Sequence, residues 1–148
     1  MWRVIHSGFP DLVRFVDAQD SGGTYATALA ELRRGRKTSH WMWFVFPQIA
    51  GLGQSQTAVH YGVRGLDEAR AYLQHQTLGA RLVECADVLC GLDETDPVKV
   101  FGGIDAVKLR SSMTLFAHAA ADDTRRHFTA VLDQYFGGEE DSATLARI

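Results

Sequence analysis

The sequence has only two cysteines among its 148 residues, which is too few for a disulfide framework. Cys85 and Cys90 are five positions apart in a segment predicted to be one helix, where their side chains point about 140° apart around the axis. They therefore cannot easily bridge each other. Because no Cys-x-x-Cys motif occurs, the pair indicates small core residues in a protein of a reducing compartment.

A histidine pattern typical of a zinc site is also absent. No two histidines have the i, i+4 spacing that places two ligands on one helix face, so a zinc site would need ligands that converge through the fold. We therefore predict no metal site and no cofactor. The histidines are His6, His40, His60, His75, His118 and His127.

The sequence lacks long hydrophobic runs and a strong charge imbalance. Its longest apolar run, Trp41–Phe46, is far too short to span a bilayer, and Met1–Gly8 lacks the apolar segment of a secretory signal. The 18 acidic and 15 basic residues give a net charge of −3, which provides no electrostatic reason for non-specific binding to nucleic acid or anionic lipid. We therefore predict a cytoplasmic protein without a nucleic-acid or membrane partner.

The length and apolar content are those of one globular domain. A chain of 148 residues that is 46% hydrophobic matches the commonest domain size and can form one continuous core. We predict a single domain over residues 1–148. The sequence does not predict its oligomeric state.

Apolar residues at helical spacing, separated by capping residues and glycines, predict a series of helices. Gly102-Gly103 are expected to stop a short helix that begins at Pro97, and Gly137-Gly138 to end the last long helix. Only Phe44–Phe46 resembles a short strand. The fold class predicted is an all-α, multi-helix bundle. The expected N-cap residues are Thr24, Ser55, Asp67, Thr77, Asp96, Asp105 and Thr124.

A basic cluster surrounds the predicted end of the second helix at Gly35. Cations near the carbonyl end of a helix interact favourably with its dipole. We therefore interpret the cluster as a solvated helix end, with an anion-binding patch as the alternative. Its members are Arg33, Arg34, Arg36 and Lys37.

The segment Trp41–Phe46 is entirely apolar, and four of its six residues are aromatic. Neither helix nor strand geometry can expose all of them, so we predict that Phe44–Phe46 form a buried aromatic plug fixed by Pro47. The polar edge of the segment is not expected to be buried in the same way as this plug, because an indole N–H or a glutamine amide is costly to bury without hydrogen-bond partners. We expect this edge to form a pocket that stacks a planar ligand. It comprises His40, Trp41, Trp43 and Gln48.

The glycine-bearing loop Gly51–Ser55 leads into a predicted helix start, where free backbone N–H groups favour anions. It lacks the third glycine of a dinucleotide fingerprint and does not follow a predicted strand. We interpret it as an ordinary loop, with a phosphate contact as the alternative.

The long helix predicted from Asp105 to Phe116 has two faces. One is a core stripe and the other carries Lys108 and Ser112, which are neighbours at i, i+4. This pair can be a general base with a nucleophile, a phosphate clamp, or a solvated lysine beside a serine that bonds back to the helix. We favour a clamp or hydrogen-bonding role, because nothing in the sequence shows Lys108 to be desolvated. The predicted stripe is Asp105, Leu109, Met113 and Phe116, and the other face holds Lys108, Ser111, Ser112 and Leu115.

Four motifs, His40–Gln48, Gly51–Gly53, Leu66–Leu73 and Phe101–Phe116, resemble an uncharacterised bacterial family, number eighteen-ten of the domain-of-unknown-function series. The resemblance spans about residues 12–145 and departs from the family at Gln76, where a proline usually follows the histidine. It implies a mainly helical single domain and no established activity. The label calpastatin sometimes given to the family is not followed, because calpastatin repeats are disordered. The polar family signature falls on His40, Trp41, Trp43, Gln48, Tyr61, Lys108, Ser111, Ser112 and Thr114.

These residues predict a small-molecule site, for a nucleotide or an ADP-ribose-like ligand. Trp41 or Trp43 would stack the ligand, His40 and Gln48 would hydrogen-bond to it, and Lys108 would hold phosphate. The alternatives are an interaction module that uses an exposed aromatic segment, and polar residues that satisfy one another in the interior. If the protein is an enzyme, the spacing between Tyr72 and Phe116 is similar to that of helical N-glycosidases, whose diagnostic glutamate motif is not matched. No catalytic residue is predicted.

Overall fold

The computed structural model describes residues 10–148, and the amphipathic segments of this range fold as helices. The predictions for Met1–Gly8 and His6 lie outside it. Short 3-10 turns, Pro10–Leu12 and Ser21–Gly23, flank the first helix. The helices are α1 Val13–Asp20, α2 Thr24–Arg33, α3 Met42–Val45, α4 Gln56–Tyr61, α5 Leu66–Gln74, α6 Gln76–Cys90, α7 Pro97–Ala119, α8 Asp122–Phe136 and α9 Ser142–Leu145.

The core is built around α7, which packs against α8, α5 and α9. Leu109, Met113 and Phe116 of α7 are fully buried. The Phe116 ring lies 5.1 Å from that of Tyr72 in α5 and 6.1 Å from that of Phe128 in α8. Each fully buried side chain of this kind contributes about 1.5–3 kcal/mol. The all-α fold predicted from the sequence is thus confirmed.

The aromatic segment forms a helical turn, so the strand-like run Phe44–Phe46 does not form a strand. α3 covers Met42–Val45, and no strand occurs anywhere in residues 10–148. Downstream, one isolated parallel bridge joins Ile49 to Val63. It is closed by the Ala50 N–H to Val63 carbonyl bond of 2.7 Å and the Val63 N–H to Gln48 carbonyl bond of 2.8 Å. This bridge fixes where the chain turns after Gln48.

Two predicted helix signals are present as expected. Ser55 caps α4 by accepting a hydrogen bond from the Ala58 N–H, and Asp96 caps α7 by accepting one from the Val98 N–H at 2.9 Å. Gly102 breaks α7 at φ 79° and ψ 168°, a conformation essentially restricted to glycine. Helical geometry resumes at once, so Asp105 lies inside α7 instead of beginning a new helix.

At four other helices the N-cap position is occupied by a residue next to or near the predicted one. Thr24 is the first residue of α2, and its hydroxyl donates to the Ser21 carbonyl. At α6, the Nδ1 of His75 accepts from the N–H groups of Thr77 and Leu78, so His75 takes the role predicted for Thr77. The caps before α5 and α8 are Gly65 and Ala121 instead of Asp67 and Thr124. The cause is local, since a backbone turn or a ring nitrogen can replace the oxygen side chain that the sequence rule requires.

Cys85 and Cys90 are both free thiols on α6. Burial raises the pKa of Cys85 to about 12, and burial followed by the charge of Asp87 raises the pKa of Cys90. Neither sulfur is therefore an activated nucleophile. In residues 10–148 no group of three or more histidine, cysteine or acidic side chains could hold a metal ion. None of the helices described combines the length and apolarity needed to cross a membrane.

Candidate functional site

Trp41 lies in the core instead of at the edge of a pocket. Its side chain is fully buried, and its indole Nε1 donates to Oε1 of Glu31 at 3.0 Å. The ring contacts Phe46 and Phe101, at centroid distances of 6.3 and 6.4 Å. Trp41 therefore offers no accessible face to a ligand, and it links α2 to the beginning of α7.

Glu31 is a buried carboxylate that organises the segment before α3. It accepts hydrogen bonds from the N–H groups of Thr38 and Ser39 at 2.8 and 3.0 Å, from the Ser39 hydroxyl at 2.6 Å, and from Trp41. Burial alone would raise the pKa of Glu31, but these hydrogen bonds outweigh it and lower the pKa to about 2. The sequence analysis did not single out this residue.

The basic cluster at the end of α2 divides into two parts. Arg33, Arg34 and Arg36 are exposed, as expected for a solvated helix end. For Lys37 that interpretation was wrong, because its side chain is only 7% exposed and its Nζ lies 2.8 Å from Oδ2 of Asp105. Its ammonium also donates to the Ser39 carbonyl and lies 5.0 Å from the Trp41 ring centroid.

The carboxylate of Asp105 contacts both Lys37 and a second lysine, Lys108. Asp105 was expected in the core stripe, but it is only partly buried, and its Oδ1 lies 3.5 Å from Nζ of Lys108. The carboxylate is thus shared by two lysines, with the closer contact to Lys37. The Lys108 ammonium lies 4.6 Å from the centroid of the Trp43 ring, within the distance of a cation–π interaction.

Trp43 and Lys108 border a groove of about 540 Å³, called here the Trp43–Lys108 groove. Four of the residues predicted from the sequence line it together, and the rest of its wall is mainly apolar. The predicted residues are Trp43, Gln48, Lys108 and Ser111. The others are Leu52–Ser55 and Ala58 on one side, Ile104 and Val107 on α7, and Asp141 and Ala143 near α9.

Five predicted residues do not line this groove. His40 is exposed and lies elsewhere, so it does not share a cavity with Lys108. Tyr61 lines a separate small cavity together with Trp43 and Gln48, and its ring is 5.3 Å from that of Phe44. The other three, Trp41, Ser112 and Thr114, are fully buried.

Ser111 and Thr114 attach the C-terminal segment to α7. The Ser111 hydroxyl donates to Oδ2 of Asp141 at 3.1 Å, and the Asp141 N–H donates to Oγ1 of Thr114 at 2.9 Å. Asp141 also caps α9 through the N–H of Thr144 at 2.9 Å. Sequence reasoning missed Asp141, although aspartate is one of the residue types preferred at a helix N-cap.

Ser112 differs from its neighbour because its buried hydroxyl has no hydrogen-bond partner in residues 10–148. It neither lines the groove nor bonds to Lys108, so the geometry gives no basis for the base and nucleophile alternative. A buried hydroxyl without a partner costs free energy.

We expect Ser112→Ala to leave the free energy of unfolding unchanged or to raise it by up to about 1 kcal/mol, because it removes this unsatisfied group. Ser111→Ala, the matched change one position earlier, should lower it by about 1 kcal/mol through loss of the bond to Asp141. Urea titrations of both variants measure the difference. A larger loss for Ser112→Ala than for Ser111→Ala would contradict this account.

Comparison with known proteins places the chain among proteins of unknown function. Residues 10–148 match the sequence model of a family described as "Protein of unknown function (DUF1810)". The crystal structure of the conserved hypothetical protein Rv1873 from Mycobacterium tuberculosis at 1.38 Å is similar, with 51% identity and a TM-score of 0.87. The match covers 92% of this chain and 94% of that one. No curated protein matches the sequence.

Proposed function

Since the chain belongs to the DUF1810 family, as its motifs predicted, and the family description assigns no activity, we propose a function from the geometry of the chain itself. The Trp43–Lys108 groove binds a small molecule that has a planar, mainly apolar body and one anionic group. Trp43, Leu52 and Val107 pack against the body, and the Lys108 ammonium binds the anion. Gln48 offers an amide donor and acceptor on the same wall.

The position of the Lys108 ammonium carries this proposal. Lys37 and Lys108 share the single carboxylate of Asp105, so the three groups together have one net positive charge. Lys37 is nearly inaccessible and makes the closer contact, whereas Lys108 borders the groove. A cation with an incomplete counter-charge beside apolar walls favours an anionic group of a ligand.

The size and charge of the groove narrow the ligand class. Its volume of about 540 Å³ is within the range of about 300–1,000 Å³ that is usual for small-molecule sites. The single ammonium of Lys108 can bind one phosphate group. The carboxylate of Asp141 on the same wall would repel a second phosphate group. Nucleoside monophosphates are therefore the first class to test. ADP-ribose, which carries two phosphates, is the comparison that tests the nucleotide or ADP-ribose-like ligand predicted from the sequence.

The alternative, an interaction module that uses the aromatic segment, has less support. It requires an exposed aromatic surface, but Trp41, Val45 and Phe46 are buried and Phe44 is only partly exposed. The segment consequently offers little area to a partner.

Lys108→Met should weaken the binding of a nucleoside monophosphate by about 10- to 100-fold, which corresponds to the loss of one charge-assisted hydrogen bond. Isothermal titration calorimetry with adenosine, cytidine and uridine 5′-monophosphates and with ADP-ribose measures the affinities. Lys99→Met is the matched control, because Lys99 is exposed on the same helix and does not line the groove.

Trp43→Phe gives a second readout. Trp43 is the only partly exposed tryptophan in residues 10–148, so this variant should lose the fluorescence response to the ligand. The proposal is overturned if no member of the panel binds the wild type, or if Lys108→Met binds as tightly as the wild type does.

A further inference from the structure

The carboxylate of Asp141 is held on the groove wall by one of its two oxygens. Oδ2 accepts from the Ser111 hydroxyl at 3.1 Å, from the Thr144 N–H at 2.9 Å and from the Thr144 hydroxyl at 2.7 Å. Within the described residues the other oxygen, Oδ1, accepts no hydrogen bond. The side chain borders the groove and is partly exposed, so one acceptor of fixed position remains available to a ligand.

The backbone around Asp141 is fixed as well. Its N–H donates to Thr114, and the guanidinium of Arg110 donates to the carbonyls of Glu139 and Glu140 at 3.2 and 3.0 Å. The chain before the carboxylate is thus attached to α7 at several points. An acceptor held in this way loses little conformational entropy when a ligand binds.

Asp141 and Lys108 lie at different points along the same groove. Ser111, which holds the carboxylate, is three residues after Lys108 and is therefore its neighbour one helical turn along α7. In the part of the chain that the structure describes, the ammonium and the carboxylate are not paired with each other; Lys108 contacts Asp105. The groove consequently presents a cation and, on a different part of its wall, an anionic acceptor.

We propose that Asp141 determines ligand specificity at this site by accepting a hydrogen bond, through Oδ1, from an amino group on the planar body of the ligand. The inference rests on the proposed function, because the anionic group of the same ligand is bound by Lys108. It narrows the ligand class to amino-bearing bases. A keto oxygen in place of the amino group would face the carboxylate, and the two would repel each other.

A series of nucleotides that differ at one position tests this specificity in the wild type. The affinity for adenosine 5′-monophosphate should be at least about 10-fold higher than that for the purine ribonucleoside 5′-monophosphate that lacks the amino group. This ratio corresponds to one hydrogen bond to a charged acceptor. Inosine 5′-monophosphate, with a keto oxygen at that position, should bind more weakly than adenosine 5′-monophosphate. Titration calorimetry on the intact chain measures all three.

Asp141→Asn is the informative variant. The asparagine carbonyl can keep the bonds to Ser111 and Thr144 and remains a good N-cap, while an NH₂ group replaces the available oxygen. The variant should bind adenosine 5′-monophosphate about 10-fold more weakly and should prefer inosine 5′-monophosphate. Asp93→Asn, a matched change at an exposed aspartate that does not line the groove, should leave both affinities unchanged.

The failure of this inference is distinguishable from that of the proposed function. If the amino and deamino nucleotides bind the wild type equally and the binding still depends on Lys108, only the role of Asp141 is overturned. If Asp141→Asn folds and keeps the wild-type ratio of adenosine to inosine monophosphate affinity, the same conclusion follows. If no nucleotide binds the wild type, both proposals are overturned. The comparison in the wild type requires no variant to fold.

Discussion

Trp41→Ala is expected to lower the free energy of unfolding by about 3–5 kcal/mol, the usual cost of truncating a buried aromatic residue. The indole is fully buried between Phe46 and Phe101, and its N–H is bonded to Glu31. Truncation leaves a cavity and removes one of the donors that the buried carboxylate needs. Chemical denaturation followed by circular dichroism measures the loss.

Trp43→Ala is the control for this prediction, because the same change is made two positions later in the same segment. Trp43 is only partly buried and borders the groove, so we expect its truncation to cost less than half as much. The assignment of Trp41 to the core and of Trp43 to the groove is contradicted if Trp43→Ala destabilises the protein as much as Trp41→Ala does.

Glu31→Gln is expected to lower the free energy of unfolding at neutral pH by about 3 kcal/mol. This amount corresponds to the difference between the usual glutamate pKa of 4.5 and the value of about 2 in the folded chain. Glutamine can still accept hydrogen bonds from the Thr38 and Ser39 N–H groups, but it lacks the charge that strengthens them. Glu139→Gln, at an exposed ion pair with Arg110, should change stability by less than about 1 kcal/mol.

The pH dependence gives a second test of Glu31. Because the folded-state pKa is lowered, its contribution is fully present above the unfolded-state pKa near 4.5 and is lost as the pH falls toward about 2. The stability difference between wild type and Glu31→Gln should therefore shrink when denaturation is repeated between pH 6 and pH 2. A difference that stays constant over this range would show that the carboxylate charge does not stabilise the fold.

The helices could be predicted from the sequence because the information that forms them is local. Leu109, Met113 and Phe116 recur at helical spacing, and all three are buried in α7. Boundaries were less predictable where an unusual group supplied the cap, as the ring nitrogen of His75 does for α6. The choice between helix and strand for Phe44–Phe46 also could not be made from a short apolar run.

The candidate site was predictable only in part, because its geometry depends on contacts between distant segments. The sequence identified Trp43, Gln48, Lys108 and Ser111, which line one groove. It also selected Ser112, one position from Ser111, although a rotation of about 100° per residue turns that side chain into the core.

A role that arises from contacts between separate segments leaves no local signal for that role. The role of Glu31 becomes evident only from the hydrogen bonds that Thr38, Ser39 and Trp41 donate to it. The position of Asp141 on the groove wall becomes evident only from its hydrogen bond with Ser111. In the same way, the basic cluster of α2 does not reveal that Lys37 alone reaches Asp105. The sequence shows which charged side chains are present, whereas the packing of the helices decides which of them form ion pairs or hydrogen bonds with each other.

The central claim, that the Trp43–Lys108 groove binds a planar molecule with one anionic group, is tested most directly by ¹H–¹⁵N correlation spectra of the labelled protein during titration with adenosine 5′-monophosphate. The indole N–H of Trp43 and the side-chain amide of Gln48 give their own signals and border the groove. We predict saturable shifts of these two signals and of the Lys108 backbone amide, with the Trp41 indole signal little changed. Shifts confined to residues remote from the groove, or no shifts at millimolar nucleotide, would contradict the claim.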